Sequence, residues 1–545
     1  MLKRRTEGRA LLVCTVAFLT IGNVRLEACL GAARTEASFE AQHANDTLEY
    51  ALRAWQSTGR RWLSSYGGLA WDAARRTWTL DSARQFGFGE AAARAYYVEY
   101  AARPALNLAE GTGNRALLTE LSAYYSPYAT RFLAIAELRK RAARLSLTSM
   151  FDPSAPADAR TLAWIDSSSA TPIVRECSLC ISQFLHPVSR LLRLIAAIPS
   201  RERDTSMLWV AQQYAGILVH DHLLRTGFQQ PATNPVTGRP ARLVDVWDSL
   251  STASLTIRGT DQAAMSDRDL WLVATAAEVL GAHARDSSLL PVSSAERDSL
   301  LRMVHSGVAL LRSKEHAHRV RDRSGLIVST ISYFDGDYAD NPDYLFAGDT
   351  SAVFPDYTRP QPVRSVGWDI SHAYRLPVVI RSLLANRVAT SSSYPSQREA
   401  KGLARHYAFV AFEGDSNEPL FRNYLDGSDG WFRVGYAGRT GSGYPPSRLC
   451  DAHNSHRPCL TSGGVQGWGE LAPFDTTIRQ IEHSLVALAA RRDSASQFFR
   501  DRYYYYDGTT FSFVDRAGRE QYPILLLSIL ASTATDYAKR HSGGN

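Results

Sequence analysis

The sequence predicts an all-α protein built from helical hairpins. Long runs place apolar residues at helical spacing, and most of these runs follow one another in pairs of similar length. The chain shows no regular alternation of strands and helices of the kind that builds a parallel sheet. With 545 residues, of which 45% are hydrophobic and 21% charged, it has the length and composition of a large globular protein.

A targeting segment is predicted before the first helix. The basic stretch MLKRRTEGR precedes an apolar run at 10–21, which is too short to span a bilayer and is typical of a signal peptide over 1–29. LEAC at 26–29 resembles the lipobox of bacterial lipoproteins, which makes Cys29 a candidate lipidation site, with soluble export as the alternative. We expect a periplasmic, cell-surface or secreted protein whose one membrane contact would be that lipid.

The helices are predicted from apolar spacing and from start and stop signals. Ser266 is a suitable N-cap, Ser293 and Glu296 form a capping box, and TGN at 112–114 separates two helices. Pro127 is expected to kink its helix. The predicted helical ranges are 45–66, 89–113, 115–145, 181–198, 205–225, 266–284, 293–313, 376–387, 398–412, 476–492 and 522–540.

Few strands are predicted, and all of them lie in loop-rich regions. We expect short β-hairpins on top of a helical body, at 69–80, 325–334, 430–438 and 510–515. Neither a linker nor a shift in composition divides the chain, so a single domain is expected over 40–540.

This organisation resembles the (α/α) toroids of carbohydrate-active enzymes. The resemblance consists of the signal peptide, about six helical hairpins, long loops rich in aromatic residues and glycine, and the TGN turn between LNLAEG and RALLTELSAYY. It implies an (α/α)6-type toroid over most of 40–540, and activity as a polysaccharide lyase or a glycoside hydrolase. We expect a monomer that acts on a polysaccharide.

Four cysteines lie beyond position 29, at Cys177, Cys180, Cys450 and Cys459. An even number in an exported chain favours two disulfides. A bridge between Cys450 and Cys459 would staple the polar loop DAHNSHRP. We interpret the CxxC at 177–180 as a structural bridge, because neither a second CxxC for zinc nor a thioredoxin-like pattern accompanies it.

The charge pattern argues against a nucleic-acid partner, and the metal signals are weak. The net charge is +7, and no run of Lys and Arg is long enough for a nucleic-acid footprint. HDH at 220–222 and EHAH at 315–318 place histidines two residues apart, a spacing that points them apart on a helix. DGDYADNPD at 335–343 is acidic enough for Ca²⁺ but lacks the glycine spacing of an EF-hand loop. We expect no metal and no cofactor, with Ca²⁺ as the alternative.

The loops of the second half are the predicted substrate site. Glycine, aromatic and polar residues concentrate at 331–349, 365–375, 421–456 and 462–475, and loops of this length in a compact domain are usually functional. Exposed aromatic planes suit the flat apolar faces of sugar rings. The candidate substrate-binding residues are Trp368, Tyr344, Asn423, Trp431, Arg433, Tyr436, Asn454, Trp468 and Glu470.

The stretch GWDISHAYR at 367–375 concentrates reactive side chains at the start of a helix. If Asp369 is the N-cap, His372 lies where the helix dipole favours a neutral imidazole, which can accept a proton. If the helix starts at Pro377, Asp369 holds His372 within a loop. A purely structural network is a further interpretation. The candidate catalytic residues are His372, Asp369, Tyr374, Arg375, Asp335 and His456.

Two reactions and one non-catalytic role follow from these residues. In a lyase, His372 or Tyr374 would act on the C5 proton of a uronic acid while Arg375 or Asn454 neutralises the carboxylate. In a hydrolase, two carboxylates would face the glycosidic bond. The candidates are Asp335, Asp337, Asp343, Asp369 and Glu470. The His, Tyr and Arg residues near 367–375 favour the lyase and an acidic polysaccharide.

The third role is a protein that only binds glycan or another protein. An enzyme requires Asp369 and His372 to meet at least one of Asp335, Arg433, His456 or Glu470 around one site, whereas a binding protein requires only the aromatic residues.

Overall fold

A computed structural model describes most of the chain between residues 48 and 503. The described residues are 48–49, 51–80, 89–166, 171–253, 264–415, 417–451, 459–460, 467–490 and 493–503. They are rich in helix with a few short strands, which confirms a mostly α class. In these ranges, no helix combines the length and the apolar character needed to cross a bilayer.

The helices have the following bounds in chain order: α1 (Arg60–Gly67), α2 (Glu90–Thr112), α3 (Arg115–Tyr128), α4 (Ile135–Arg144), α5 (Ser178–Ala196), α6 (Thr205–Gly216), α7 (Leu243–Thr252), α8 (Asp267–Arg285), α9 (Ser294–Ser313), α10 (Ile370–Ala373), α11 (Arg375–Ala385), α12 (Arg387–Thr390), α13 (Gln397–His406), α14 (Thr476–Ala490) and α15 (Ser494–Tyr503). π-Helical segments adjoin three of them: Trp55–Gly59 precedes α1, Ile217–Gln229 extends α6, and Tyr407–Ala411 extends α13.

The strands are short and form small separate sheets at the edges of the helical body. Their bounds are β1 (Leu69–Asp72), β2 (Thr77–Leu80), β3 (Leu133–Ala134), β4 (Thr148–Met150), β5 (Arg160–Thr161), β6 (Ala163–Asp166), β7 (Ile173–Glu176), β8 (Pro231–Thr233), β9 (Pro240–Arg242), β10 (Glu315–Arg321) and β11 (Ile327–Tyr333). The pairs β1–β2, β3–β5, β8–β9 and β10–β11 are antiparallel, while β7 pairs with β4 in parallel and with β6 antiparallel.

The N-terminal parts of four helices, α2, α5, α8 and α11, meet around one buried arginine. Arg375, the first residue of α11, donates to the hydroxyl of Tyr96 on α2 at 2.9 Å and to the amide oxygen of Gln183 on α5 at 3.0 Å. It also pairs with Asp267, the first residue of α8, at 3.2 Å. Arg375 is 1% exposed.

A buried ionic network joins the same four helices farther along their axes. Glu470, in the short turn Trp468–Leu471, accepts from Arg103 of α2 at 3.2 Å and pairs with Arg381 of α11. The other members of the network are Glu99, Asn107 and Glu110 of α2, Arg190 and Arg193 of α5, and Glu278 of α8. Because residues early in each helix contact one another, and later residues do the same, the four helices run parallel.

The interior of the protein lies along α5 and α8. Every residue from Cys180 to Ala196 and from Asp269 to Ala282 is buried. A helix buried on all sides lies inside a large core, whereas an amphipathic helix packs at its edge.

Short, capped connections link these helices to the ones that follow them. Gly113 ends α2 in a left-handed conformation (φ +67°), and the side chain of Asn114 caps α3 by accepting from the Leu117 amide. Ser293 and Glu296 form the predicted capping box of α9, and Ser266 caps α8 as predicted. Hairpin turns are therefore encoded locally by residues suited to caps.

Some predicted elements differ from the structure. Pro127 does not kink a continuous helix, because α3 ends at Tyr128 and α4 starts anew at Ile135 after a short 3₁₀ turn and β3. Residues 430–438 form no strand, since only Phe432 pairs with Tyr444 in an isolated bridge. The predicted hairpin at 69–80 is confirmed as β1–β2, and the strand predicted at 325–334 is confirmed as β11.

The histidines of EHAH lie on strand β10 and not on a helix. Side chains two residues apart share one face of a strand, and the rings of His316 and His318 stack with centroids 6.5 Å apart. The interpretation that they point apart is therefore wrong. The predicted signal peptide at 1–29, the candidate lipidation site Cys29, the strand at 510–515 and the helix at 522–540 lie outside the described residues.

Both predicted disulfides are present. Cys177 is bonded to Cys180 at the start of α5, and Cys450 is bonded to Cys459. Disulfides persist in oxidising compartments and are rare in the cytosol. The two bridges therefore indicate an oxidising environment.

Acid should destabilise the protein through its buried histidines. Burial lowers the pKa of His186 to about 3, of His222 to about 3 and of His406 to about 4, from an ordinary value of 6.5. Between pH 6.5 and these lowered pKa values, the three histidines are therefore protonated in the unfolded chain but not in the folded protein. The contribution of these histidines to the free energy of unfolding is fully present above pH 6.5. It falls as the pH falls, by about 1 kcal/mol per pH unit for each histidine.

Urea unfolding measured from pH 7.5 to 4.5 checks this expectation. His186→Gln, which removes one titrating ring, should make the fall in unfolding free energy less steep. His220→Gln, at an exposed imidazole, is the matched control and should leave the steepness unchanged. Equal slopes for the wild type and His186→Gln would contradict the buried, uncharged state of His186.

Candidate functional site

Asp369 is held by several hydrogen bonds at the start of the short helix within the GWDISHAYR stretch. It is fully buried and forms the N-cap of α10, where its side chain accepts from the amides of Ser371 and His372, both at 3.1 Å, and from the Ser371 hydroxyl at 2.5 Å. Asp is favoured at this position because its carboxylate satisfies amides that the first turn leaves unpaired. The interpretation of Asp369 as an N-cap is therefore confirmed for α10. Helix α11 follows from Arg375, so the alternative start at Pro377 is wrong.

Asp369 holds the imidazole of His372. Nδ1 of His372 lies 2.8 Å from Oδ2 of Asp369, and the hydroxyl of Tyr344 donates to the same oxygen at 2.6 Å. Burial would raise the pKa of Asp369, but His372, Arg433 and Ser371 outweigh it and hold that pKa well below its usual range. The carboxylate is therefore ionised and accepts a hydrogen bond from Nδ1–H of His372.

The other ring nitrogen of His372 faces Arg433. Nη2 of Arg433 lies 3.2 Å from Nε2 of His372. Because a guanidinium can only donate, Nε2 must be the accepting nitrogen, and its lone pair is directed away from Asp369. The partners of the ring thus define one tautomer, with the proton on Nδ1. The His372 side chain is 20% exposed, so part of the imidazole reaches the surface.

Aromatic rings set the plane of the imidazole. Trp368 is buried and stacks between Tyr338, at 5.6 Å, and His372, at 6.5 Å between ring centroids. Phe432 meets His372 edge-on at 6.3 Å. These contacts leave the imidazole few orientations, which is what a positioned acid or base requires.

Arg433 is held in place by Asp343 and by an unusual backbone conformation. Its Nε donates to Oδ2 of Asp343 at 2.8 Å, and its amide donates to the Asp343 carbonyl at 2.9 Å. Its φ of +56° is uncommon for a residue with a long side chain. Such strain persists where the surrounding structure enforces it, often at a functional site. The guanidinium lies 4.4 Å above the ring of Tyr436.

Asp267 links this group to the four parallel helices. One of its carboxylate oxygens lies 3.2 Å from Nη1 of Arg375 and 3.9 Å from Nε2 of His372. Arg375 therefore supports the site from the interior through its ion pair with Asp267. It is buried and does not itself reach the surface. A proton taken up at Nε2 would face the negative charge of Asp267, while Nδ1 faces Asp369.

The structure thus brings together Asp369, His372, Arg375, Arg433, Tyr344 and Trp368 from the predicted set. It places other members elsewhere. Tyr374 is enclosed, and its hydroxyl has no hydrogen-bond partner among the described residues. Asp335 accepts from His318 at 3.0 Å and from Ser332 at 2.5 Å, in a separate cluster at the β10–β11 hairpin.

Several predicted substrate-binding residues are structural. Trp431 is buried and donates to the Ser351 carbonyl, and Trp468 is buried and stacks on Tyr407 at 4.3 Å. Asn423 braces the loop that carries Arg433 by donating to the carbonyls of Gly430 and Pro445. Glu470 belongs to the ionic network, where Arg381, Arg190 and Arg103 overcome burial and lower its pKa to about 2. Asn454 and His456 lie outside the described residues.

Three further residues belong to the site and were not predicted from the sequence: Asp267, Tyr96 and Gln183. They are distant in sequence and meet only because α2, α5 and α8 start at the same end of the bundle. Their one shared signal is position, since each lies within the first seven residues of its helix or at its first residue. Position alone does not identify them without the fold.

In the described part of the chain, no three or more His, Cys, Asp or Glu side chains are grouped so as to hold a metal ion. Within the acidic stretch 335–343, Asp337 pairs with Lys314 at 3.1 Å and Asn341 accepts from the Asp343 amide. The carboxylates of Asp335, Asp337 and Asp343 each pair with a histidine, a lysine or an arginine.

Comparison of the chain with family models, with curated proteins and with solved structures found no match. Its function is therefore inferred from the site itself.

The tautomer of His372 can be measured. We expect ¹⁵N NMR at pH 7.5 to show Nδ1 protonated and Nε2 unprotonated, because Asp369 accepts at one nitrogen and Arg433 donates at the other. Asp369→Asn, which replaces a carboxylate with an amide, should shift the proton between the two nitrogens. Asp356→Asn, at an exposed turn, is the control. An Nε2-protonated ring in the wild type would contradict the arrangement.

Proposed function

We propose that this protein is an exported enzyme that cleaves an acidic polysaccharide by β-elimination, with His372 as the base. The observation that carries the proposal is the Asp369–His372–Arg433 group, in which Asp369 accepts from Nδ1 of a partly exposed imidazole and a guanidinium lies beside Nε2. A base that removes the C5 proton of a uronic acid needs a cation next to it, because negative charge develops on the adjacent carboxylate.

The proposal extends to the fold and the compartment. Four parallel helices, linked by short capped turns to the helices that follow, are the arrangement expected for part of the inner ring of an (α/α)6-type toroid. The two disulfides agree with export. We infer a closed toroid that presents the helix N-termini to the substrate.

The elimination would move two protons and two electron pairs. The uronate carboxylate binds Arg433, and the C5 proton transfers to Nε2 of His372. The electron pair of the C5–H bond forms the C4–C5 double bond, and the bond from C4 to the glycosidic oxygen breaks with its electron pair on that oxygen. The leaving oxygen takes a proton from the Tyr444 phenol, and solvent exchange returns His372 and Tyr444 to their starting states. The products are an unsaturated uronate and a new sugar end.

Substrate binding would also release the base. In the free protein the lone pair of Nε2 accepts from Arg433. A carboxylate is a stronger acceptor for a guanidinium than a neutral imidazole. A substrate carboxylate on Arg433 therefore competes for that donor and leaves Nε2 open to the C5 proton.

Tyr444 is suited to protonate the leaving oxygen. Burial raises its pKa, Arg433 works against this rise, and Asp369 and Tyr436 add to it. The phenol therefore keeps its proton at neutral pH. The backbone of Tyr444 pairs with Phe432, the residue before Arg433. The sequence-predicted alternative, Tyr374, is enclosed in the core.

Hydrolysis has less support at the Asp369–His372–Arg433 group, because the one carboxylate inside that group is ionised and engaged with donors. Asp369 is buried and saturated with donors, and Glu470 is ionised within the ionic network. A hydrolase needs one carboxylic acid that holds its proton beside one carboxylate.

The purified mature protein should release products that absorb near ~235 nm from a uronate polysaccharide, through their 4,5 double bond. His372→Ala should lower the rate by roughly 100- to 10,000-fold, the usual worth of a general base. His220→Ala, at an exposed histidine, is the control. New reducing ends without absorbance would show that the protein hydrolyses the glycosidic bond and does not eliminate it. The absence of both signals from a folded protein would exclude cleavage of the tested glycans.

Arg433 should matter for the carboxylate of the substrate. Arg433→Gln should lower kcat/KM on a uronate polymer by roughly 100- to 1,000-fold, because one donor to the developing charge is lost. The variant also loses the ion pair with Asp343, so urea unfolding is measured with it and kcat/KM is taken under conditions in which the protein is folded. Arg201→Gln, at an exposed arginine, is the matched control. An unchanged kcat/KM would remove Arg433 from the mechanism.

A further inference from the structure

A surface cavity opens between α1, α3 and the β1–β2 hairpin. Its volume is about 440 Å³, within the range of cavities that hold small organic molecules. Asn114, which lines the cavity, follows the end of α2, whereas Tyr96, near the start of that helix, contacts Arg375. At 1.5 Å per residue, the end of α2 at Thr112 is roughly 24 Å from Tyr96. The cavity is therefore separate from the group around His372.

Two indole rings line this cavity, and both are held by the protein. Trp55 is buried in the π-helical turn before α1. The guanidinium of Arg60 covers the ring of Trp71 at 4.3 Å and also forms an ion pair with Glu120 at 2.8 Å. Aromatic rings pack favourably against one another, offset or edge to face. Because these rings are fixed before a ligand binds, they lose little conformational entropy when an aromatic ligand packs against them.

The charged side chains of the lining leave one positive charge unpaired. They are Arg60, Glu120 and Arg76, of which the first two pair with each other. Arg76 is exposed in the turn between β1 and β2, and its guanidinium forms neither an ion pair nor a hydrogen bond within the described ranges. The lining therefore suits a ligand with a single negative charge.

The start of α3 adds further donors. The side-chain oxygen of Asn114 caps this helix by accepting from the Leu117 amide, so its amide nitrogen is the group that remains for a ligand. Ala116, in the first turn of the 14-residue helix, also lines the cavity. Amides of a first turn lack acceptors within the helix, and the N-terminal end of the helix dipole favours an anion.

The indole nitrogen of Trp55 is a further donor that the protein does not use. Trp55 is 1% exposed, and its Nε1 has no hydrogen-bond partner among the described residues. The other long edge of the ring packs on Gly59, where an added Cβ would come within 2.2 Å of Cε3. Nε1 therefore lies on the edge remote from Gly59. A buried N–H without an acceptor is costly, so an acceptor on a ligand that reaches this edge would stabilise the protein.

We propose that this cavity binds a small planar organic acid, with its aromatic body against Trp55 and Trp71 and its carboxylate at Arg76 and the start of α3. A neutral aromatic molecule would leave Arg76 unpaired. A dianion such as a phosphate would bring a second negative charge towards Glu120, which like charge disfavours. The inference does not depend on the proposed function, because none of these residues belongs to the group around His372.

Calorimetric titration of the purified mature protein with naphthoate and with its uncharged counterpart, naphthamide, tests the proposal. We expect one naphthoate to bind per chain. The amide should bind roughly 10- to 100-fold more weakly, as expected for the loss of one charge-assisted hydrogen bond. Arg76→Gln should weaken naphthoate binding by a similar factor and leave the amide unchanged. Arg75→Gln, at the neighbouring exposed arginine that pairs with Asp72, is the matched control.

A second variant tests the aromatic wall. Trp71→Ala should weaken the binding of both naphthoate and naphthamide roughly two- to tenfold, because it removes a ring contact and no charge. Arg76 is exposed, so the charge test stands even where Trp71→Ala fails to fold.

Three results would overturn the proposal. They are the absence of naphthoate binding, equal affinities for the acid and the amide, and a naphthoate affinity that Arg76→Gln does not change. A uronate disaccharide that displaces naphthoate in an Arg76-dependent way would also overturn it, by showing that the cavity binds sugar. Because the titration contains no polysaccharide, its result is independent of whether the protein catalyses elimination.

Discussion

The contacts of the buried Arg375 guanidinium hold the site together. They link the first residue of α11 to Tyr96, Gln183 and Asp267 on three other helices. They therefore fix the positions of the four helix N-termini relative to one another. A buried cation is tolerated only when it is paired and hydrogen-bonded, so these helices cannot slide without leaving charge unsatisfied. Since Arg375 starts the helix that follows His372, the same contacts also fix the height of the imidazole above the bundle.

The ionic network deeper in the bundle also fixes the helices relative to one another. A buried ion pair contributes little net stability compared with a well-packed apolar core, because both charges must be desolvated, but removing one partner costs ~3–5 kcal/mol. The network that includes Glu470, Arg103 and Arg381 therefore favours one arrangement of the helices, while it adds little net stability to the fold. The chain uses apolar burial for stability along α5 and α8, and paired charges for register.

The helical class, the capped turns and the two disulfides could be predicted from the sequence, because each depends on residues close together in the chain. Ser266, Ser293 and Glu296 encode helix starts within a single turn. The Asp369–His372 pair could be predicted for the same reason, as its members are three residues apart. Arg433 was predicted as a binding residue, but its contact with His372 depends on a bridge between 369 and 424 that no local pattern encodes. Trp431 and Trp468 were misplaced because aromatic content in a loop does not distinguish a sugar platform from a ring packed into the core.

The claim that organises the site is that Nε2 of His372 is a base directed at a uronate held by Arg433. A crystal structure of His372→Ala with a uronate oligosaccharide tests it most directly. We expect the carboxylate on Arg433 and C5 facing the position of the missing Nε2 at roughly 3–3.5 Å, the distance of a reacting pair. An oligosaccharide bound away from Arg433, or one with C5 turned from that position, would contradict it.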